Sequence, residues 1–263
     1  MNRDEFLNTF IDISTEKGVD TKNLRTFLQG KFLNVEEKIV CAHEISDSLY
    51  IAHKVLTDHP KEGVIAEFGC FNGGMSAKLS ILAAKLGKKL VIFDSFQGLP
   101  CDAKYKTYNP NLEILGDFHR TQFAQSLDTV RKNIEDNGDI SVCEFIPGWI
   151  EDTLPKTNYV YSTVFIDVDI IETAQFIIKN IWNKIESDGL FTHESCIKDY
   201  MDRLLCPIWW KENFNCQPPR IARKCDENSS GFLLAPCLNY LYKSDSGYKT
   251  NTTPDSSNNP FEI

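Results

Sequence analysis

Two groups of residues in this chain have types and spacings that could do chemistry. The first is Glu67, Gly69, Gly73, Gly74 and Asp94, within the stretch GVIAEFGCFNGGMSAKLSILAAKLGKKLVIFDSFQGLP at residues 63–100. Glycines let a backbone turn sharply and approach a ligand closely, and a carboxylate at a following strand end suits a ribose diol. The second is Asp167, Asp169, His193 and Glu194, acids and an imidazole at the ends of two apolar runs. Such a set could bind a divalent cation and activate a hydroxyl held beside it. The competing reading is solvated acids at loop starts.

The elements around the first group read clearly. Val64-Ile65-Ala66 is a short apolar run, and the glycine turn leads into a helix marked by Met75, Leu79, Leu82 and Leu86. A second run, Leu90 to Phe93, ends in Asp94. Strand, Gly-rich turn, helix and strand make half of a nucleotide-binding α/β unit. The spacing Gly-x-x-x-Gly-Gly is neither the dinucleotide pattern nor a phosphate loop. No Lys or Arg lies between Glu67 and Ser76, and Glu67 would repel a pyrophosphate. A nucleoside carrying an amino acid, as in S-adenosylmethionine, fits better, since Glu67 can attract its cationic end. Otherwise the glycines only make a tight turn and Asp94 caps the chain from Ser95 onward.

The second group sits at the end of Ser162-Thr-Val-Phe-Ile-Asp167-Val-Asp169, a run typical of a strand buried on both faces. A helix is expected over Thr173–Glu186, and Leu190–Thr192 then delivers His193 and Glu194. Neighbouring parallel strands would bring all four side chains to one end of the sheet. Between the two groups lie an irregular region over Gly98–Phe118, read as a lid or binding loop, a helix closing near Asn137-Gly138, and a strand over Ser141–Ile146. The turn after it carries Trp149, placed to stack on adenine or to serve as ordinary core.

The amino-terminal part, residues 1–58, reads as a helical appendage serving as a lid or a dimer contact. Its best segment is one helix over Val35–Thr57, stepping through Ile39, Ala42, Ile45, Leu49, Ala52 and Leu56. His43 and His53 lie on or near it, where packing or surface roles are expected. Residues 59–243 then form the main domain and residues 244–263 a disordered tail. Within the domain, Gly231–Tyr242 reads as a late antiparallel strand, and Trp209-Trp210 as packed core or pocket lining.

Composition bounds the setting. The chain has 263 residues and a formal net charge of −9, which disfavours nucleic acid or an anionic membrane as the main partner. It has no apolar run long enough to span a bilayer, and Met1-Asn-Arg-Asp-Glu lacks a signal core, so a cytoplasmic protein is expected. Nine cysteines without a Cys-x-x-Cys pair point to scattered reduced thiols. The spacings of Cys206, Cys216, Cys225 and Cys237 are too long and irregular to favour zinc.

Several of these motifs together resemble the macrocin O-methyltransferase family: Glu67-Phe-Gly-Cys-Phe-Asn-Gly-Gly, Asp94-Ser-Phe-Gln-Gly-Leu-Pro, Gly116-Asp-Phe, Pro147-Gly-Trp-Ile-Glu-Asp-Thr-Leu-Pro and Asp167-Val-Asp-Ile-Ile-Glu-Thr. The resemblance covers roughly residues 60–200 and implies an α/β, Rossmann-like class I methyltransferase fold, a mostly parallel sheet flanked by helices. It implies S-adenosylmethionine as donor, a magnesium- or manganese-type cation, a sugar or phenol hydroxyl as acceptor, and a dimer or larger homo-oligomer. By position, Glu67, Gly69 and Asp94 would hold the donor, with Phe71, Asn72, Gly73, Gly74, Ser76 and Ser95 around it, Gly148 and Trp149 near its adenine, and Asp167 by its methyl. Asp167, His193 and Glu194 would sit where the family holds its metal, with Asp167 and His193 catalytic. The sequence departs from the pattern at Ile171, at Thr173-Ala174 and at His193-Glu194-Ser195, where the family has an acidic pair before an aromatic. An imidazole there suits manganese, iron or zinc better than magnesium; without metal, His193 could serve as general base. Rival readings are a metal-independent methyltransferase acting on nitrogen, carbon or sulfur, and a non-catalytic donor-binding protein.

Overall fold

The computed structural model describes residues 7, 8, 10, 11, 22–58, 62–104, 117–185, 188–193, 197–223 and 238–247. Two helices, α1 (Lys22–Lys38) and α2 (Ile45–Asp58), precede β1 (Val64–Phe68), α3 (Gly74–Lys85) and β2 (Leu90–Asp94). A short hairpin of β3 (Ala103–Lys104) and β4 (Asp117–Phe118) follows, then α4 (Leu127–Asn137), β5 (Cys143–Pro147) and the single turn α5 (Ile150–Thr153). The chain continues through β6 (Tyr161–Ile166), α6 (Ile171–Ile181), β7 (Leu190–Thr192), α7 (Lys198–Leu204), α8 (Pro207–Phe214), β8 (Arg220–Arg223) and β9 (Asn239–Tyr242).

Seven strands form one sheet in the order β5-β2-β1-β6-β7-β9-β8. The pairs from β5 to β7 are parallel, and β9 runs antiparallel to both β7 and β8. The expected late antiparallel strand is therefore present over Asn239–Tyr242; residues 231–237 of that prediction lie outside the described residues. Successive crossovers build outward from β1 to β5, and the chain then returns to lay β6 on the other side of β1. The order reverses between β1 and β6, and in open parallel sheets ligands bind outside the strand ends at such a reversal.

Register then lines up the strand tips. Phe68 pairs with Phe93 and with Ile166, Ile166 pairs with Thr192, and Asp94 pairs with Pro147. The next residue along four of these strands consequently faces the same crevice: Gly69 after β1, Ser95 after β2, Asp167 after β6 and His193 after β7. Backbone bonds from Asp167 N to Phe68 O (2.9 Å) and from His193 N to Ile166 O (3.0 Å) fix the two central tips.

Helix α3 is buried on all sides from Gly74 to Ala83, including Ser76, Lys78 and Ser80. It lies in the same core cluster as Leu28, Phe32 and Val35 of α1 and Val130 and Ile134 of α4, so the amino-terminal helices cover the sheet-flanking layer. The Lys78 ammonium, fully buried, pairs with Glu36 at 2.7 Å, because an uncompensated charge there would cost several kcal/mol. Trp210 is core: its indole N–H donates to Leu204 O at 2.7 Å and its ring meets Trp182 edge-on. The predicted single helix over Val35–Thr57 is broken. Helix α1 ends at Lys38, and a non-helical segment runs through Glu44 before α2. Residues 244–247, which the sequence assigns to a disordered tail, include a short turn held by Ser244 N–H and Oγ donating to the Asp188 carboxylate. No helix among the described residues is long and apolar enough to cross a membrane.

Candidate functional site

A cavity of about 780 Å³ opens at the strand tips. Six carboxylates line it, from Glu44, Asp47, Asp94, Glu151, Asp167 and Asp169, and none of its described lining residues is Lys or Arg. Phe71, Phe118, Phe123 and Trp149 give it aromatic walls, and Gly98, Leu99 and Pro100 bring the predicted binding loop to its edge. Residues 105–116 of that loop lie outside the described residues.

At the tips of β1 and β2, Asp94 is fixed by two backbone groups. Cys70 N–H donates to its Oδ2 and Phe96 N–H to its Oδ1, both at 2.7 Å. One acid therefore ties the turn after β1 to the turn after β2, and its remaining lone pairs are available to a ligand. The predicted capping role and the exposure of Asp94 to the cavity coexist. Ser95 Oγ closes the next turn by donating to Gly98 O and accepting from Gln97 N–H. Gly148 N–H bonds to Asp94 O, which sets Trp149 on the opposite wall as the residue before α5.

Of the predicted donor residues, Gly69, Phe71, Asp94, Ser95, Trp149 and Asp167 line the cavity, while Glu67, Asn72, Gly73, Gly74, Ser76 and Gly148 stand behind it. The glycines answer to protein packing. A Cβ on Gly69, at φ +87°, would lie 2.0 Å from Asp167 O, and one on Gly74 would lie 2.4 Å from Cys41 Sγ. The Asn72 side chain is turned to the protein: its amide donates to Val40 O at 3.1 Å and its carbonyl accepts from Gln125 at 2.8 Å. Glu67 is fully buried in β1, and neither of its oxygens has a hydrogen-bond partner among the described residues. Burial pushes its pKa up to about 8; Ser76 stands near enough to ease the charge slightly without making the bond.

On the other side, Asp167 is held between two imidazoles. His43 Nε2 is 2.9 Å from Oδ2 and His193 Nδ1 is 3.5 Å from Oδ1. The rings meet edge to face with centroids 4.5 Å apart. The His43 contact has ion-pair length without hydrogen-bond alignment, so Nε2 is a buried nitrogen with no hydrogen-bond partner among the described residues. Burial acts to raise the Asp167 pKa, but the imidazoles, His43 foremost, overcome it and leave the carboxyl below its ordinary value. Asp169 occupies a tight turn at φ 54°, closed by Ile170 N–H to Val168 O, a conformation that costs a non-glycine residue of order 1 kcal/mol or more. Glu194 lies outside the described residues. Cys225 and Cys237 do too, and His43, Asp167 and His193 are the single metal-competent group among those described.

His43, which the sequence places in packing or surface roles, is buried in the cavity wall beside Asp167. The break between α1 and α2 carries it into the cavity wall. A signal existed: Glu44 N–H donates to Asp47 Oδ2 and Ser46 Oγ to Glu44 Oε2, the backward half of a capping box opening at Glu44.

A mostly parallel sheet with one reversed late strand, flanking helices and an acidic crevice at the switch point define a class I methyltransferase fold. The solved structure of the O-methyltransferase NovP matches with a TM-score of 0.56 at 19% identity, over 75% of this chain and 79% of that one. The family model for macrocin O-methyltransferase (TylF) matches residues 43–214, and the chain belongs to that family. Among curated relatives, it is 25% identical over 161 residues to an 8-demethyl-8-(2,3-dimethoxy-alpha-L-rhamnosyl)-tetracenomycin-C 4'-O-methyltransferase of Streptomyces olivaceus, covering 59% of this chain and 61% of that one. It is 28% identical over 151 residues to the demethyldecarbamoylnovobiocin O-methyltransferase of Streptomyces niveus, covering 55% of this chain and 54% of that one. The chain thus spans less than two thirds of either relative.

Proposed function

We propose that this protein transfers the methyl group of S-adenosylmethionine to a hydroxyl of a small-molecule acceptor, a sugar or phenol of natural-product or glycan type. The observation that carries the reading is the cavity wall: carboxylates and aromatics without a Lys or Arg among its described residues. That wall favours a sulfonium nucleoside with a cationic amino-acid end and disfavours a dinucleotide, whose phosphates need cationic or helix N-terminal partners. Family membership and the relatives' printed activities support the same chemistry.

In this reading Asp94, held rigid by two N–H donors, accepts from the ribose hydroxyls, and Trp149 stacks on the adenine. The amino-acid end runs past the Gly69 turn, so the sulfonium methyl faces Asp167. The acceptor oxygen attacks the methyl carbon in line as the carbon–sulfur bond breaks, leaving S-adenosylhomocysteine. The hydroxyl proton departs to the cluster of Asp167 and its two imidazoles, whose carboxylate stabilises the positive charge gained. Most of the acceleration then comes from alignment and from a nucleophile already losing its proton. Magnesium, which the family implies, needs oxygen ligands. The described donors here are one carboxylate and two imidazoles, a set that does not fit it, and no step runs through it.

Calorimetry with S-adenosylhomocysteine tests the reading. Two charge-assisted hydrogen bonds are worth about 3–6 kcal/mol together, so Asp94→Ala should weaken binding by at least ~100-fold. Unchanged affinity in a variant that keeps its circular dichroism would remove Asp94 from the donor site, and the reaction with it.

A further inference from the structure

We propose that Phe71 and Phe123 form an aromatic corner that reads the positive charge of the donor's sulfonium, so that the pocket prefers S-adenosylmethionine to the neutral S-adenosylhomocysteine left after transfer. The inference rests on the donor reading above and adds to it the residues that tell donor from product. Both rings line the cavity, and they meet edge to face with centroids 5.5 Å apart and planes at 79°. A right-angled contact leaves the faces of the edge-on ring uncovered by its partner. Aromatic faces carry the negative side of the ring quadrupole and attract a cation within about 6 Å. No Lys or Arg among the described lining residues competes for them.

The backbone puts this corner where the sulfonium must lie. Sulfur joins the ribose to the amino-acid chain, so in the donor reading it sits between Asp94 and the Gly69 turn, its methyl toward Asp167. Those three groups converge. Cys70 N–H donates to Asp94 Oδ2 at 2.7 Å, and Gly69 packs so closely on Asp167 that a Cβ there would lie 2.0 Å from Asp167 O. Phe71 is the next residue of the same turn. Its φ is 45° and that of Phe123 is 64°, left-handed values that are uncommon for bulky side chains and persist only where the surroundings impose them. Gly73 N–H closes the turn under Phe71 by donating to Cys70 O at 2.7 Å, and Ala124 N–H closes the one around Phe123 by donating to Thr121 O at 3.1 Å. Gln125 then donates to Asn72 Oδ1 at 2.8 Å, which fixes the two segments, and so the two rings, against each other. When the methyl leaves, the carbon–sulfur electron pair returns to sulfur and the charge is gone. The corner then holds the product less tightly than the donor.

Calorimetry of the full-length protein with S-adenosylmethionine and with S-adenosylhomocysteine, acceptor omitted, tests the proposal. The ratio of the two Kd values isolates the charge, because adenine, ribose and amino-acid end are common to both ligands. Phe71→Leu and Phe123→Leu should each lower the preference for S-adenosylmethionine ~3-fold or more, the scale of one cation–π contact, while affinity for S-adenosylhomocysteine stays within about 2-fold of wild type. Trp149→Ala should weaken both ligands alike and leave the ratio where it was. A ring-fluorinated phenylalanine in place of Phe71 or Phe123 keeps the ring's shape and removes its negative face. It should lower the ratio as Leu does, and it decides the matter even where a Leu variant fails to fold. A ratio untouched by fluorination and by both Leu exchanges, including equal losses for the two ligands, would overturn the proposal. Binding of neither ligand by the wild-type protein would instead sink the donor reading itself.

Discussion

Replacing Glu67 with Gln should stabilise the ligand-free protein in a way that depends on pH. The carboxyl lies in the middle of the sheet, fully buried, with both oxygens unpartnered among the described residues and its pKa pushed up to about 8 from 4.5. Between those values the folded state keeps a proton that the unfolded chain has released. The folded state therefore binds more protons, and stability falls as pH rises through the window. At about 1.4 kcal/mol for each pH unit, the loss is ~3 kcal/mol at pH 7 and ~4 kcal/mol at pH 8, where the folded carboxyl is itself half ionised. A Gln side chain has nearly the same shape and nothing to ionise. Urea unfolding should find the variant and the wild type nearly equal at pH 5, and the variant more stable by ~3 kcal/mol at pH 7. For a chain of this size that corresponds to a rise of ~6–12 °C in Tm. A stability difference that stays the same between pH 5 and pH 8 would refute the argument, since only titration of this carboxyl produces the slope.

Two further perturbations follow from the site. Trp149→Ala removes a stacking surface worth about 1–3 kcal/mol per base and should raise the Kd for S-adenosylhomocysteine ~10-fold or more by calorimetry; an unchanged Kd would place the adenine elsewhere. Gly74→Ala forces a methyl group to within 2.4 Å of Cys41 Sγ and should cost ~1–3 kcal/mol in urea unfolding. Cys41→Ala in the same chain should recover more than half of that loss, and purely additive effects would show that the clash is not the cause.

The strand tips were legible because buried parallel strands announce themselves as unbroken apolar runs; the acids ending the second and third runs, Asp94 and Asp167, fall in the crevice, whereas Glu67, ending the first, is buried in the sheet. The runs Val64–Ala66, Leu90–Phe93 and that from Ser162 to Asp167 correspond to β1, β2 and β6, observed over Val64–Phe68, Leu90–Asp94 and Tyr161–Ile166. Helix ends were read less well: α6 runs over Ile171–Ile181 against an expected Thr173–Glu186, since apolar stepping carries across a short 3₁₀ turn at Trp182–Lys184. The same continuity hid the break at residues 39–44. Ile39, Ala42 and Ile45 keep a helical spacing although only part of that stretch is helix, and the box that opens α2 uses Glu44 and Asp47 in place of the usual Ser or Thr with Glu. Gly69 and Gly74, read from the sequence as room for a ligand, are required by protein packing. Their space is taken by Asp167 O and Cys41 Sγ, contacts between distant segments that no local pattern can announce.

The short linker at residues 39–44 has one consequence for anyone who would re-engineer this protein. Through Val40 it steadies the turn after β1, through Cys41 it rests on the first residue of α3, and two positions later it presents an imidazole to the cavity wall. Exchanging the leading helices with those of a relative to alter acceptor choice would therefore not be a modular swap. The graft would have to reproduce the tether and the imidazole together, or both halves of the pocket would be remodelled at a stroke.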